Sequence, residues 1–146
     1  MAKSKTLPKR SEVKAGDTWD LTPLCKTDAE WEKGYKKLEK MIPRFEEFRG
    51  KLGSSAKVIR QVCDFESKFE QLGERLGVYA YLKSSEDVAN STYQGMLARF
   101  TYLSTRASES ASFIAPEIQA IPQAKIKAYL QSAELKPYKF QLERLL

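Results

Sequence analysis

From Thr27 onward, apolar residues recur every three or four positions along most of the chain, the period of helices with one buried face. The first face is Trp31, Tyr35, Leu38, Ile42 and Phe45, which leaves Lys33, Lys36, Lys37 and Lys40 mostly on the wet side. Thr27-Asp28-Ala29-Glu30 fits a capping box, in which Thr27 and Glu30 satisfy each other's free backbone donors. Pro43 removes a backbone donor and predicts a kink or an early end. Gly53-Ser54-Ser55 then breaks the pattern and offers a serine cap for a second helix over about 56–83, roughly 40 Å long. Its face is Ile59, Val62, Phe65, Phe69, Leu72, Leu76, Tyr79 and Leu82. Gly73 and Gly77 cost helix propensity there, and close approach by a neighbouring helix is the expected compensation. A third helix is predicted from near Asp87 or Asn90 through Met96, Leu97, Phe100, Leu103, Ala107, Ala111 and Ile114, stopping before Pro116. Its small residues Ala107, Ser108, Ser110, Ala111 and Ser112 predict tight packing.

The ends differ in style. Ile121-Pro122 opens a short helix with proline in its first turn, carrying Ile126, Tyr129 and Leu130. Lys136-Pro137 opens another, with Phe140, Leu142, Leu145 and Leu146. No glycine or asparagine terminates it, so the pattern reads as an element cut short in a longer chain. Residues 1–16 have no periodicity and are expected to form a flexible basic arm. Residues 17–24 are expected as an extended segment pinned by Trp19, Leu21 and Leu24, with Pro23 turning Thr22 away from helix. The fold class that follows is all-α over 17–146: three long antiparallel helices followed by two shorter ones, since the long helices are joined by short loops.

Composition narrows the class. A chain of 146 residues suits one domain, and its 42% apolar and 11% aromatic content argues against disorder. No apolar run approaches the roughly 18 residues of a membrane span. The basic first residues have no apolar stretch behind them, which argues against a secretory signal and for the cytoplasm. Cys25 and Cys63 are too few for a disulfide framework, and Cys63 sits at a core position. Of the net charge of +6, four units come from residues 1–14, where Lys3, Lys5, Lys9, Arg10 and Lys14 outnumber Glu12. The excess therefore reads as a solvated tail, and no nucleic-acid partner is expected.

The search for catalytic chemistry is mostly negative. The sequence holds no histidine. That removes a Ser-His-Asp or Cys-His triad, an H-E-x-x-H zinc site and any imidazole acid–base catalyst. Two distant cysteines supply no four-ligand zinc site, and no glycine-rich phosphate loop is present. Glu46-Glu47 and Glu86-Asp87 are neighbours that point in different directions on a helix. Glu66 and Glu70, four apart, are half of a carboxylate di-metal pattern whose Glu-x-x-His partners are missing. Tyr79, Tyr81, Tyr93 and Tyr102 fit a helical core or half-buried surface better than a base-stacking platform. No catalytic, cofactor-binding or metal-ligating residue is assigned.

Several segments, in order, nevertheless carry a resemblance. Asp17-Thr18-Trp19-Asp20-Leu21-Thr22-Pro23-Leu24, followed by the early helix tryptophan Trp31, resembles the opening of the oligoendopeptidase F family, zinc peptidases similar to thimet oligopeptidase. Arg75-Leu76-Gly77-Val78-Tyr79-Ala80-Tyr81-Leu82 is similar to that family's L-x-x-Y-A-x-L helix. Asn90-Ser91-Thr92-Tyr93-Gln94-Gly95-Met96 and Ser112-Phe113-Ile114-Ala115-Pro116-Glu117-Ile118 resemble the start and end of the next helix. Residues 138–146 look like its Y-x-x-x-L-E stretch. The likeness covers about residues 17–146.

That resemblance implies an N-terminal helical lobe that walls a channel for short peptides in an all-α, cytoplasmic metalloendopeptidase. Zinc in such enzymes is held by an H-E-x-x-H helix and a further glutamate, none of which maps onto this chain. The missing catalytic lobe is then a partner, and Phe140, Leu142, Leu145 and Leu146 are candidates to face it. A free-standing helical interaction module is the alternative, since it needs no active site.

Overall fold

The structure is a computed structural model that describes Pro8 and residues 10–146. Thr27 turns the chain into its first helix, α1 (Asp28–Met41), by accepting from the Glu30 amide at 3.2 Å. The reciprocal bond is shifted by one residue, because Glu30 accepts from the Lys26 amide rather than from Thr27. Pro43 ends the α-helical ladder as expected, and Ile42–Glu47 continues as tighter 3-10 turns. Ser55 caps α2 (Ala56–Glu86), a 31-residue spine about 46 Å long. Asn90 caps α3 (Ser91–Ala111) through the amides of Thr92 and Tyr93.

Side-chain pairings fix the direction of each helix. Asp28 meets Tyr79, Trp31 donates to the Leu76 carbonyl, Leu38 borders Gly73, and Phe45 packs edge-on against Phe65. Numbers rise along α1 while they fall along α2, so the two are antiparallel. Lys83 over Tyr93 and Phe100 against Gly77 set the same relation for α2 and α3. The expected close approach at Gly77 is real: an added Cβ would lie 2.5 Å from the Phe100 ring. Gly34, which the sequence pattern did not single out, plays the same part for Leu76.

Beyond α3 the chain departs from expectation. The helix breaks at Ser112-Phe113, ahead of Pro116, and Pro116 sits inside a new helix, α4 (Ile114–Gln119). Proline is tolerated there because the first-turn amides of a helix have no internal acceptor. Pro122 precedes α5 (Gln123–Leu130) as its cap instead of lying within it. Pro137 lies in 3-10 turns over Ala133–Tyr138, and α6 (Lys139–Leu145) follows. Three short helices thus follow the three long ones where two were expected. Among the described residues there is no strand.

Two apolar clusters fill the molecule. One gathers Cys25, Trp31, Leu38, Leu76 and Leu103 where α1, α2 and α3 meet. The other joins Phe45, Ile59, Phe65, Ile118, Leu135 and Leu142 at the end that carries the short helices. Leu142 is therefore part of this chain's own core, not a surface for another lobe, while Phe140 and Leu146 remain exposed.

The segment before α1 is also corrected. Asp20 accepts from the Thr22 amide, and the Leu24 and Cys25 amides both bond to the Leu21 carbonyl. That tight turn carries Leu21, Leu24 and Cys25 onto the first cluster and leaves Trp19 outside it at 85% exposure. Of the expected arm, residues 1–7 and 9 lie outside the described residues. Arg10–Glu12 and Ala15–Asp17 form single 3-10 turns, and Arg10 pairs with Glu86 at 2.7 Å.

Candidate functional site

The spine helix α2 sorts its charges by side. Glu66, Glu70 and Glu74, four apart on one helical face, line the groove shared with α3. Lys68 and Arg75 fall on the opposite side, toward α1. There they meet Lys33, Lys36, Lys37 and Lys40 across an open groove of about 1600 Å³. Arg44 and Lys51 extend that groove beyond the end of α1, and Glu47 and Asp64 are its acidic members. Both acids are already engaged: Glu47 with Arg44, Asp64 with Arg60 and the Tyr138 hydroxyl. Hydrogen bonds from Tyr138, and secondarily Arg60, hold the Asp64 carboxyl below its usual range. The floor is apolar, with Met41, Phe48, Phe65 and Leu72.

The α2–α3 groove has the opposite character. Its space of about 480 Å³ is lined by Leu38, Phe45, Phe69 and Phe100, together with the small Ala107 and Ser108. Glu66 makes no hydrogen bond or ion pair among the described residues. Burial, and then the neighbouring Glu70, push its carboxyl up to about 7.

Other residues singled out in the sequence prove structural. Glu46 binds Arg49, and Glu86 binds Arg10 and Lys83. Tyr79 and Tyr93 both donate to Asp28, at 2.7 and 3.2 Å, while Tyr81 and Tyr102 are exposed. The four tyrosines therefore form no common platform. Asp28 is the residue that sequence reasoning missed. In the sequence it stood only inside the capping-box segment Thr27–Glu30, with no role of its own, whereas its two acceptor bonds join α1 to α2 and α3.

Among the described residues zinc finds no fitting donor set. Histidine is absent, and Cys25 and Cys63 lie in different apolar clusters. Burial pushes the Cys63 thiol up to about 12, which disfavours the thiolate a metal needs. Among the described residues no three His, Cys, Asp or Glu side chains come together as ligands.

Comparison with known proteins adds what this geometry lacks. No family model matches the chain. Oligopeptidase PepF of Bacillus subtilis is 36% identical over 145 residues, 98% of this chain and 22% of that protein. The plasmid oligoendopeptidase F of Lactococcus lactis subsp. cremoris is 31% identical over 138 residues, 93% of this chain and 23% of its own length. Over nearly its whole length the chain is similar to members of the oligoendopeptidase F family. It spans less than a quarter of the length of the curated relatives it matches.

Solved structures agree at the level of fold. The crystal structure of oligoendopeptidase-F from Enterococcus faecium superposes with a TM-score of 0.73 at 27% identity, covering 82% of this chain and 24% of that one. A Chlamydophila abortus structure reaches 0.88 at 24% identity over 96% of this chain and 24% of its own, a likeness of fold alone. Among the described residues no helix is long and apolar enough to cross a membrane.

Proposed function

We propose that this chain is a helical lobe of a zinc-dependent oligoendopeptidase, forming part of the wall of the channel in which short peptides are hydrolysed. One observation carries the reading. Nearly all of the chain aligns with proteins named oligopeptidases and oligoendopeptidases, yet it amounts to less than a quarter of each. The lobe is not catalytic alone. In this reading the zinc ion and the groups that activate water belong to the catalytic lobe of the same protein.

The chain's own part is geometric. Long helices with continuous exposed sides suit the wall of a channel, and the walls decide how large a peptide enters. Phe140, Leu145 and Leu146 on and after α6 offer apolar surface to the catalytic lobe. The protein works in the cytoplasm on short peptides, with no membrane or nucleic-acid partner.

Deletion tests the reading. Removing the matching segment from Bacillus subtilis oligopeptidase PepF should abolish turnover or loosen peptide-size selection, and restoring it with this chain should recover both. Unchanged turnover and size selection after the deletion contradict the proposal.

A further inference from the structure

Three elements send cations to one place. α1 contributes Lys33, Lys36, Lys37 and Lys40 to the α1–α2 groove. Arg44 and Lys51 come from the connection that follows, and Lys68 and Arg75 come from α2. Of the lysines on α1 and α2 that line it, none forms an ion pair among the described residues.

The opposite side of α1 shows what an ordinary solvated helix face looks like in this molecule. There Glu32 pairs with Arg99, and Glu39 and Glu46 stand beside Arg49 and Arg106. Signs alternate and mostly cancel. In the groove they do not, because Glu66, Glu70 and Glu74 of α2 line the α2–α3 groove instead. Unpaired like charges around a concavity raise the local concentration of anions.

We propose that the α1–α2 groove binds the acidic stretch of a short peptide. The choice of a peptide rests on the peptidase-lobe reading above, and the structure supplies the charge. From Lys33 to Arg44 the helical path covers about 16 Å, the length of roughly five residues in an extended strand. Cations along the rim meet carboxylates, while Met41, Phe48 and Leu72 on the floor meet the apolar stems of the same side chains. Gln61 and Gln71 on the α2 wall offer amides to a peptide backbone. Glu47 and Asp64 favour this occupant over a nucleic acid. A peptide brings N–H donors that these carboxylates accept, whereas a phosphodiester backbone brings only further negative charge.

The test is fluorescence anisotropy of this chain with a labelled glutamate-rich hexapeptide, a lysine-rich hexapeptide and a short single-stranded oligonucleotide. The acidic peptide should bind in preference to both, and more weakly as salt is raised. Combining Lys36→Glu, Lys40→Glu and Lys68→Glu should weaken its binding at least about tenfold, equivalent to about 1.4 kcal/mol. Lys125→Glu with Lys127→Glu on α5 makes the same kind of charge change away from the groove and should leave binding within about twofold. Circular dichroism confirms that both variants keep the fold, since all these lysines are exposed. Equal affinity for the two peptides, tighter binding of the oligonucleotide, or equal losses in the two variants overturns the proposal. Peptide cleavage is read separately. Cleavage without acidic-peptide binding overturns this inference alone, and binding without cleavage by the full protein overturns only the lobe reading.

Discussion

Gly77 has no room for a side chain, because Phe100 of α3 occupies the space a methyl group would take. Gly95, also within a helix, has nothing within 4 Å of the same position. The two glycines should therefore respond oppositely to alanine. Gly95→Ala should stabilise by about 0.5–1 kcal/mol through helix propensity. Gly77→Ala should destabilise by about 1–2 kcal/mol, because displacing the Phe100 ring outweighs that gain. Urea denaturation of the pair reads both signs. The sequence pattern marked Gly77 as a contact but not Gly34, which meets Leu76 of α2 in the same way and lacks a second glycine four residues away to draw notice.

Glu66 sets a pH dependence at the same scale. Its carboxyl titrates near 7 in the fold, against an ordinary value of 4.5, because burial and Glu70 disfavour the charge. The fold thus prefers the protonated acid. Its contribution is complete below about pH 4.5 and is lost as pH rises through about 7. The melting temperature of the wild type should fall between about pH 5 and 8, a loss of about 1–3 kcal/mol. Glu66→Gln should flatten that fall and stabilise the protein at the alkaline end. Thermal melts across the range check it, and a wild type that gains stability from pH 5 to 8 contradicts the assignment.

Among the elements, Asp28 ties the front of α1 to both neighbours through the Tyr79 and Tyr93 hydroxyls. Tyr79 is nearly buried, so Asp28→Ala strands its hydroxyl and should cost about 1–3 kcal/mol. Amide exchange should show the loss concentrated where the three helices meet. Helix starts were the most legible feature of the sequence, since Thr27, Ser55 and Asn90 each cap with their own side chain. Such caps are local, and so is the apolar period behind them. What local signals misplace is whatever a distant contact decides. Pro116 suggested a stop, but it occupies a first turn whose free amides make it welcome. Trp19 suggested an anchor, but the turn built on Leu21 presents its neighbours to the core in its place.

For the molecule as a whole, a net charge sums over faces and conceals how they differ. The near balance of residues 15–146 hides a basic groove beside α1 and an acidic one beside α3. Reading that separation requires knowing which helix packs on which, and the periodicity of a single helix does not carry it. The missing histidine, by contrast, is plain in the sequence, and it removes every imidazole-based site without reference to packing.

The central claim, that the chain is a non-catalytic lobe of a zinc oligoendopeptidase, is tested most directly by one paired measurement. Zinc content and cleavage of a quenched fluorescent peptide are determined for this chain and for the full open reading frame that encodes it. The account predicts an inert chain without zinc and a zinc-bearing, peptide-cleaving product of the reading frame. A reading-frame product with neither zinc nor cleavage, or cleavage by the 146-residue chain itself, contradicts it.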